Sequence, residues 1–242
     1  MQNHASTLAA EFKLDAARVA ATVALIDEGN TIPFIARYRK EATGSMDDQT
    51  LRALDERLSY LRKLDDQKET VHNSITEQGA MTPEIAAALE KAKTLAEVED
   101  IYRPYKPKRK TRASIARARG LEPLAARLLE QRPEDEPALL ARQYITEEVP
   151  DTEAALAGAR DILAEGFSDS ANLRATLRSL YNATALVESK AAKKDTDSVY
   201  SGYYDYSEPA AKMAGHRILA VDRGEREGFL KVSVTVDAAR AV

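Results

Sequence analysis

The chain is organised around one short connection between two helical patterns, Thr31-Ile-Pro-Phe-Ile-Ala-Arg-Tyr-Arg-Lys-Glu-Ala-Thr-Gly-Ser45. Pro33 lacks a backbone N–H group and therefore suits the first turn of a short helix. Gly44 is predicted to end the turn, and Ser45 with Asp48 resembles a capping box that starts the next helix. The connection thus predicts a compact element held between two helices.

The same connection combines apolar residues with a cluster of cations. Its predicted apolar anchors are Phe34, Ile35 and Tyr38. Its candidate nucleic-acid-binding residues are the cations Arg37, Arg39 and Lys40. A compact basic element of this kind is a candidate phosphate contact. The residue types leave a second interpretation open, in which the arginines only form surface salt bridges with nearby carboxylates.

Composition bounds the class of protein. With 242 residues and 44% hydrophobic content, the chain can bury a real core in one large domain or two small ones. The formal net charge is -4, so nucleic-acid binding must be local rather than the effect of a global basic field. The absence of cysteine excludes disulfides and fits a reducing compartment. Because neither a membrane-spanning run nor a signal peptide is recognisable, we expect a cytoplasmic protein without a membrane partner.

Apolar residues at helical spacing predict a mainly α fold. The longest pattern keeps three-and-four spacing through Leu51, Leu54, Leu58, Leu61, Leu64, Val71 and Ile75. Before it, Asp15 and Gly29 are expected to bound a shorter helix. Further short amphipathic helices are predicted from Ser114 onwards. The chain is therefore expected to be an array of many helices.

The most basic stretch, called the basic segment below, is Ile101-Tyr-Arg-Pro-Tyr-Lys-Pro-Lys-Arg-Lys-Thr-Arg-Ala113. Its alternate prolines forbid a helix and hold the chain extended. Its candidate nucleic-acid-binding residues are Lys106, Lys108, Arg109, Lys110 and Arg112. Tyr102 and Tyr105 are candidates for stacking on bases or ribose. An equally open alternative is a soluble Pro-Lys-rich linker without a ligand.

The end of the chain has a different sequence pattern. Two apolar runs, Ile218–Val221 and Leu230–Val236, flank the turn-like sequence Arg223-Gly-Glu-Arg-Glu-Gly228 and predict a β-hairpin. An isolated hairpin is marginal in water, so we expect it to pack on helices or on sequence outside this chain, which we take to be a fragment. The predicted domains are an N-terminal helical region 1–103, a basic Pro-rich connector 104–113, a second helical region 114–189, and a Tyr-rich segment with the hairpin 190–242.

Sequence motifs of known reactions are missing. The phosphate loop G-x-x-x-x-G-K-[ST], the dinucleotide loop G-x-G-x-x-G, the zinc motif H-E-x-x-H and the nucleophile elbow G-x-S-x-G do not occur. We interpret His216 as a structural residue rather than a general base. The sequence therefore predicts no enzyme, no cofactor and no metal site.

Four stretches resemble successive signatures of the bacterial Tex family of transcription accessory proteins. They are Thr31–Gly44, Glu99–Ala113, Ala159–Glu165 and His216–Gly228. The resemblance covers essentially the whole chain, and the first two stretches are long enough to be specific. It implies an elongated, mostly helical protein with a helix-turn-helix-like N-terminal unit. It also implies nucleic-acid binding, with RNA favoured over DNA, and a role in transcription elongation.

Two hypotheses remain at this point. In the first, the chain belongs to a monomeric, non-catalytic transcription factor whose basic stretches contact phosphates. In the second, the chain is a helical scaffold that binds RNA polymerase or ribosomal proteins. The resemblance implies that longer relatives continue into further domains that bind nucleic acid, and the second hypothesis leaves RNA binding to them.

Overall fold

The computed structural model describes residues 4–107, 110–193 and 198–241. It is mainly α-helical, so the predicted fold class is confirmed. The chain divides into two compact units, residues 1–105 and residues 106–242. The predicted four-part division stays a prediction. Within the described ranges, no helix is both long and apolar enough to cross a membrane.

The described part of the first unit consists of helices and their connections. In chain order the helices are α1 (His4–Phe12), α2 (Ala16–Asp27), α3 (Ile32–Tyr38), α4 (Lys40–Thr43), α5 (Asp48–Glu77), α6 (Pro83–Lys91) and α7 (Leu95–Tyr102). Helix α2 has the predicted ends, because the Asp15 carboxylate accepts a hydrogen bond from the Arg18 backbone N–H at 3.0 Å. Gly29 follows it in the left-handed region at φ +82°.

Helix α5 begins differently from the prediction. Its N-cap is Asp47, whose carboxylate accepts a hydrogen bond from the Thr50 backbone N–H at 2.7 Å. This backbone hydrogen bond from Thr50 holds the pKa of Asp47 below its ordinary value. Ser45 has φ +60° and belongs to the turn. The predicted capping box of Ser45 and Asp48 is therefore wrong.

The apolar stripe of α5 is buried as its spacing predicted. Its buried residues are Leu51, Leu54, Leu58, Leu61, Leu64, Val71 and Ile75. One end packs with Leu8 of α1 and Val19 of α2. The other end packs with Leu89 of α6 and Val98 of α7. Helix α5 thus serves both apolar clusters of the first unit.

The second unit combines helices with one small sheet. Its helices are α8 (Arg112–Ala118), α9 (Glu122–Leu129), α10 (Pro137–Arg142), α11 (Thr152–Asp169), α12 (Ala171–Thr184), α13 (Gly215–Arg226) and α14 (Ala238–Ala241). Its strands are β1 (Leu186–Ala191), β2 (Asp205–Pro209) and β3 (Leu230–Thr235). Small residues of α11 let its neighbours approach closely, since a Cβ at Gly158 would lie 2.4 Å from Leu121 Cδ1.

The sheet is antiparallel with the strand order β2-β1-β3. Val187 of the central strand lies opposite Glu208 of β2 and Val234 of β3. The predicted strand at Leu230 is confirmed, but its predicted partner is wrong. Residues 218–221 are helical and lie in α13, and β3 pairs with β1 instead.

Gly224 allows the turn-like sequence, which is helical, to pack closely on β3. A Cβ at Gly224 would lie 2.6 Å from Leu230 Cδ1 and 3.0 Å from Tyr200 Cδ1, so only glycine lets α13 pack this closely on β3. The carboxylate of Glu225 accepts a hydrogen bond from the Val232 backbone N–H at 3.1 Å. The real turn comes at Gly228, which has φ +78°.

The first prediction compares two helical glycines. Gly224→Ala should lower the free energy of unfolding by about 1–3 kcal/mol, because the added methyl group overpacks the contact with Leu230. Gly166→Ala is the matched control, since a Cβ there meets no heavy atom within 4 Å. It should raise the free energy of unfolding by up to about 1 kcal/mol through helix propensity. Urea unfolding measures both, and equal responses would contradict the close packing of α13 on β3.

Tyr200 packs beside Gly224 and is 6% exposed. Its hydroxyl donates a hydrogen bond to Glu227 Oε2 at 2.8 Å. Burial, and then this hydrogen bond, raise the pKa of Tyr200 above its ordinary value of 10.0. The neutral phenol therefore stabilises the folded chain below pH 10, and this contribution is lost as the pH rises through the raised pKa.

The second prediction follows from the upward shift of the Tyr200 pKa. Tyr200→Phe should make the loss of stability above about pH 10 shallower, because the variant has no phenol to ionise. Part of the slope should remain, because the pKa of Tyr206 is also raised by the hydrogen bond that its hydroxyl donates to Glu208. Urea unfolding between about pH 8 and pH 11 measures the slope. An unchanged slope would show that Tyr200 is not a buried donor.

Candidate nucleic-acid interface

Helix α3 is a short element with one buried side chain. It has seven residues, follows an extended Thr31 and carries Pro33 in its first turn. Ile35 is fully buried, and α3 contacts α2, α4 and α5. Arg39 leaves the helical region at φ -125° and ψ 26°, which separates α3 from α4. A single apolar residue therefore anchors α3.

The two aromatic residues of α3 are not anchors. Phe34 is 37% exposed and Tyr38 is 61% exposed, so their predicted burial is wrong. They lie one helical turn apart on the same side of α3, with ring centroids 5.2 Å apart and ring planes at 46°. Ile35 lies on another side of the helix and makes the buried contact alone. Two adjacent rings are therefore left in contact with solvent.

Cations neighbour these rings in the sequence. Arg37, Arg39 and Lys40 are all exposed. The Arg39 guanidinium carbon lies 5.2 Å from the centre of the Phe34 ring, a cation–π contact. Its Nη1 also donates a hydrogen bond to the Tyr38 carbonyl oxygen at 3.5 Å. We call Phe34, Arg37, Tyr38, Arg39 and Lys40 the α3–α4 surface.

The cations of the α3–α4 surface have no ion pair within the described residues, which contradicts the salt-bridge interpretation there. By contrast, the arginines of α5 are paired across distances of 2.6–2.7 Å: Arg52 with Asp48, Arg57 with Glu11 and Arg62 with Asp27. A guanidinium without a carboxylate partner can donate hydrogen bonds to the oxygens of a ligand. The surface therefore has positive charge that the neighbouring fold leaves uncompensated.

Arg18 of α2 is a further cation that sequence reasoning missed. Its side chain lies against Gly44, where an added Cβ would be 2.4 Å from Arg18 Cδ. Gly44 has φ +66°, and this left-handed conformation favours glycine. Only the packing of α2 with α4 brings Arg18 to the end of this connection. No local sequence signal could have found it.

The candidates of the basic segment are only partly described. Lys106 and Lys110 are exposed, while Lys108 and Arg109 lie outside the described residues. Arg112 begins α8 and is 86% exposed, with its Nε 3.5 Å from Asp161 Oδ1. Thr111 and Ser114 cap that helix reciprocally. The segment therefore becomes helical at Arg112, within the predicted extended connector.

The tyrosines of the basic segment do not form a stacking site. Tyr102 and Tyr105 are partly buried against the apolar cluster that includes Val71 and Ile75 of α5. The hydroxyl oxygens of Tyr102 and Ser74 lie 3.0 Å apart in a hydrogen bond. The predicted role of these two rings in stacking on bases is therefore wrong, because they pack in the core of the first unit.

Comparison with known proteins assigns the chain to a family. Residues 2–76 match the family model described as Tex-like protein N-terminal domain, and residues 132–241 match the one described as Tex central region-like. The chain belongs to the Tex family. The α3–α4 surface of this Tex-family chain lies within the first matched region, and Lys106 to Arg112 lies between the two.

Relatives of this Tex-family chain include proteins of bacteria and animals. Protein tex of Bordetella pertussis is 47% identical over 235 residues, which cover 96% of this chain and 30% of the relative. Transcriptional accessory protein Tex of Neisseria gonorrhoeae is 45% identical over 229 residues, with 94% and 30% covered. S1 RNA-binding domain-containing protein 1 of Homo sapiens is 32% identical over 230 residues, with 88% and 22% covered. The chain spans less than a third of the length of these relatives.

The third prediction compares two arginines of α8, one exposed and one that supports the fold. Arg117 Nη1 lies 3.0 Å from Glu165 Oε1, and the Thr111 hydroxyl donates to Glu165 Oε2 at 2.9 Å. Arg117→Met should lower the free energy of unfolding by about 1–3 kcal/mol, because the partly buried carboxylate loses a charged donor. Arg112→Met, the matched control, should change it by less than about 0.5 kcal/mol. Urea unfolding measures both, and a larger effect at Arg112 would make that residue structural.

Proposed function

We propose that the chain is the nucleic-acid-binding part of a transcription accessory factor, that it favours RNA over DNA, and that it has no catalytic activity of its own. The observation that carries the proposal is the α3–α4 surface, where exposed cations adjoin exposed rings and have no carboxylate partner among the residues that the structure describes. The names of two relatives support the same direction, since one is a transcriptional accessory protein and another contains an S1 RNA-binding domain.

Local charge is sufficient for such binding despite the net charge of -4. At physiological ionic strength, screening over about 8 Å separates a cationic cluster from distant carboxylates. Each unpaired cation that meets a phosphate releases condensed counterions, which gives sequence-independent affinity. The second unit adds further exposed cations, Lys106, Lys110 and Arg112, whose charge can also attract a phosphate backbone. Such contacts position a nucleic acid without reading its sequence.

The proposal of a non-catalytic role has its own support. Within the residues that the structure describes, no group of three or more His, Cys, Asp or Glu side chains could hold a metal ion. The sequence also lacks the phosphate loops and nucleophile motifs of common enzymes. Binding is the chemistry that the α3–α4 surface favours, because it offers cations and rings but no general base.

A helical scaffold for RNA polymerase or ribosomal proteins is the second candidate function. Helix α12 favours it, because none of its residues is buried. Leu173, Leu177 and Tyr181 of α12 are 43%, 38% and 39% exposed and recur at helical spacing. An exposed apolar stripe of this kind is typical of a protein-binding surface. Binding through it should depend little on salt, which distinguishes the scaffold from a phosphate-binding surface.

The fourth prediction tests the proposed function with charge-matched variants. The triple variant Arg37→Gln, Arg39→Gln, Lys40→Gln should bind a fluorescent single-stranded RNA more weakly than the parent chain. The slope of log affinity against log salt should become flatter by about 2, because three phosphate contacts are lost. Fluorescence anisotropy across a salt series measures both quantities.

The control triple variant Arg52→Gln, Lys63→Gln, Lys91→Gln removes the same charge from other exposed positions of the first unit. It should bind RNA like the parent chain, because none of the three residues belongs to the α3–α4 surface. Arg52 is, in addition, already paired with Asp48. If both variants weaken binding equally, net charge rather than the α3–α4 surface governs it. If neither changes the affinity, this surface does not bind nucleic acid.

A further inference from the structure

The rings of the α3–α4 surface are not the buried anchor of α3. Ile35 already holds α3 on the first unit with a fully buried side chain. Phe34 and Tyr38 instead leave apolar area in water, which is unfavourable for folding. Surface rings flanked by cations are a known means of binding nucleotide bases. The position of these rings therefore indicates a ligand with planar faces and negative charge.

We propose that Phe34 and Tyr38 form a stacking platform for an unpaired base, and that the α3–α4 surface consequently selects single-stranded nucleic acid. This inference rests on the proposed function and names the substrate class of the same surface. Tyr38 is the principal ring, because it is 61% exposed while Arg39 already covers part of Phe34. The Arg39 guanidinium, which lies over the Phe34 ring, keeps a positive charge beside the platform.

The cations beside the rings are placed for the neighbouring phosphates. Arg37 directly precedes Tyr38, Lys40 lies two residues after it, and neither has a carboxylate partner within the described residues. A base stacked on Tyr38 therefore brings its own phosphates to positive charge. An acidic peptide would satisfy the cations but has few planar groups for the rings. Charge and ring exposure together favour a nucleic acid.

A single strand fits the platform better than a duplex. In a duplex the base faces are stacked on one another, and exposing one requires unstacking that costs a few kcal/mol. A single strand offers unstacked bases at little cost, and every base has a face that can stack. Helix α3 has seven residues and is about 10 Å long, which limits the platform to one or two nucleotides. Binding should therefore be weak, tolerant of sequence and selective for strandedness.

The fifth prediction separates stacking from phosphate attraction. The double variant Phe34→Leu, Tyr38→Leu keeps apolar side chains but removes both rings. It should lower the affinity for a single-stranded RNA about tenfold, as expected for the loss of base stacking. The affinity for a duplex of the same sequence should stay within about twofold, because the phosphate contacts remain. Tyr38→Phe, which keeps the ring, should bind like the parent chain.

Fluorescence anisotropy with the single strand, the duplex and an abasic strand measures these affinities, and circular dichroism checks that each variant is folded. The abasic strand should bind the parent chain as weakly as the intact strand binds the leucine variant. If the charge variant loses binding while the leucine variant keeps it, the proposed function stands and the stacking platform is wrong. If the leucine variant loses affinity for the single strand and for the duplex equally, the stacking platform is also wrong.

Two further results would overturn the inference. If the parent chain does not bind single-stranded RNA, both the proposed function and the stacking platform fall. If an acidic peptide competes with the RNA as well as an unlabelled strand does, and the leucine variant binds that peptide more weakly, the surface is a protein-binding site. Competition by the unlabelled strand alone supports the platform.

Discussion

The burial of the α5 stripe is the constraint on which the first unit depends. Seven apolar residues at helical spacing bury one side of a 30-residue helix, and the other helices attach to that side. Helix α3 is too short to bury a whole face and contributes one fully buried residue, Ile35. The packing that organises the unit therefore fixes the position of α3 while leaving most of its surface in solvent. That division of roles creates the α3–α4 surface.

The long helices could be predicted from sequence because their information is local. The stripe of α5 repeats over many turns, so one misread residue does not change the assignment. The predicted hairpin failed because a run of four apolar residues fits a strand and a helix equally well. What decides the matter is non-local: Gly224 packs against Tyr200, and β3 pairs with β1, both of which lie far earlier in the sequence. Periodicity carries no information about such partners.

The candidate site shows the same limit at the level of single side chains. The residue types of Arg37, Arg39 and Lys40 indicated a basic element, but whether they meet a carboxylate depends on which helices pack nearby. The burial of the aromatic residues was predicted incorrectly in both basic stretches. Phe34 and Tyr38 are exposed although they were predicted to be apolar anchors, and Tyr102 and Tyr105 pack against the core although a basic, Pro-rich segment surrounds them. Ring burial is decided by the neighbouring elements, and the local composition does not reveal them.

The size of the α3–α4 surface defines what it can do alone. Two rings and three cations supply a few contacts, and each phosphate contact weakens as salt rises. Such a surface is suited to act together with other contacts, because linkage raises the effective concentration of a second binding event without any new interaction. Relatives of this chain are more than three times its length, which leaves room for such contacts. Weak affinity here is compatible with tight binding by a longer chain, provided that the strand can reach both sites. The local surface would then contribute selectivity for an unpaired base, and the combined contacts would contribute the affinity.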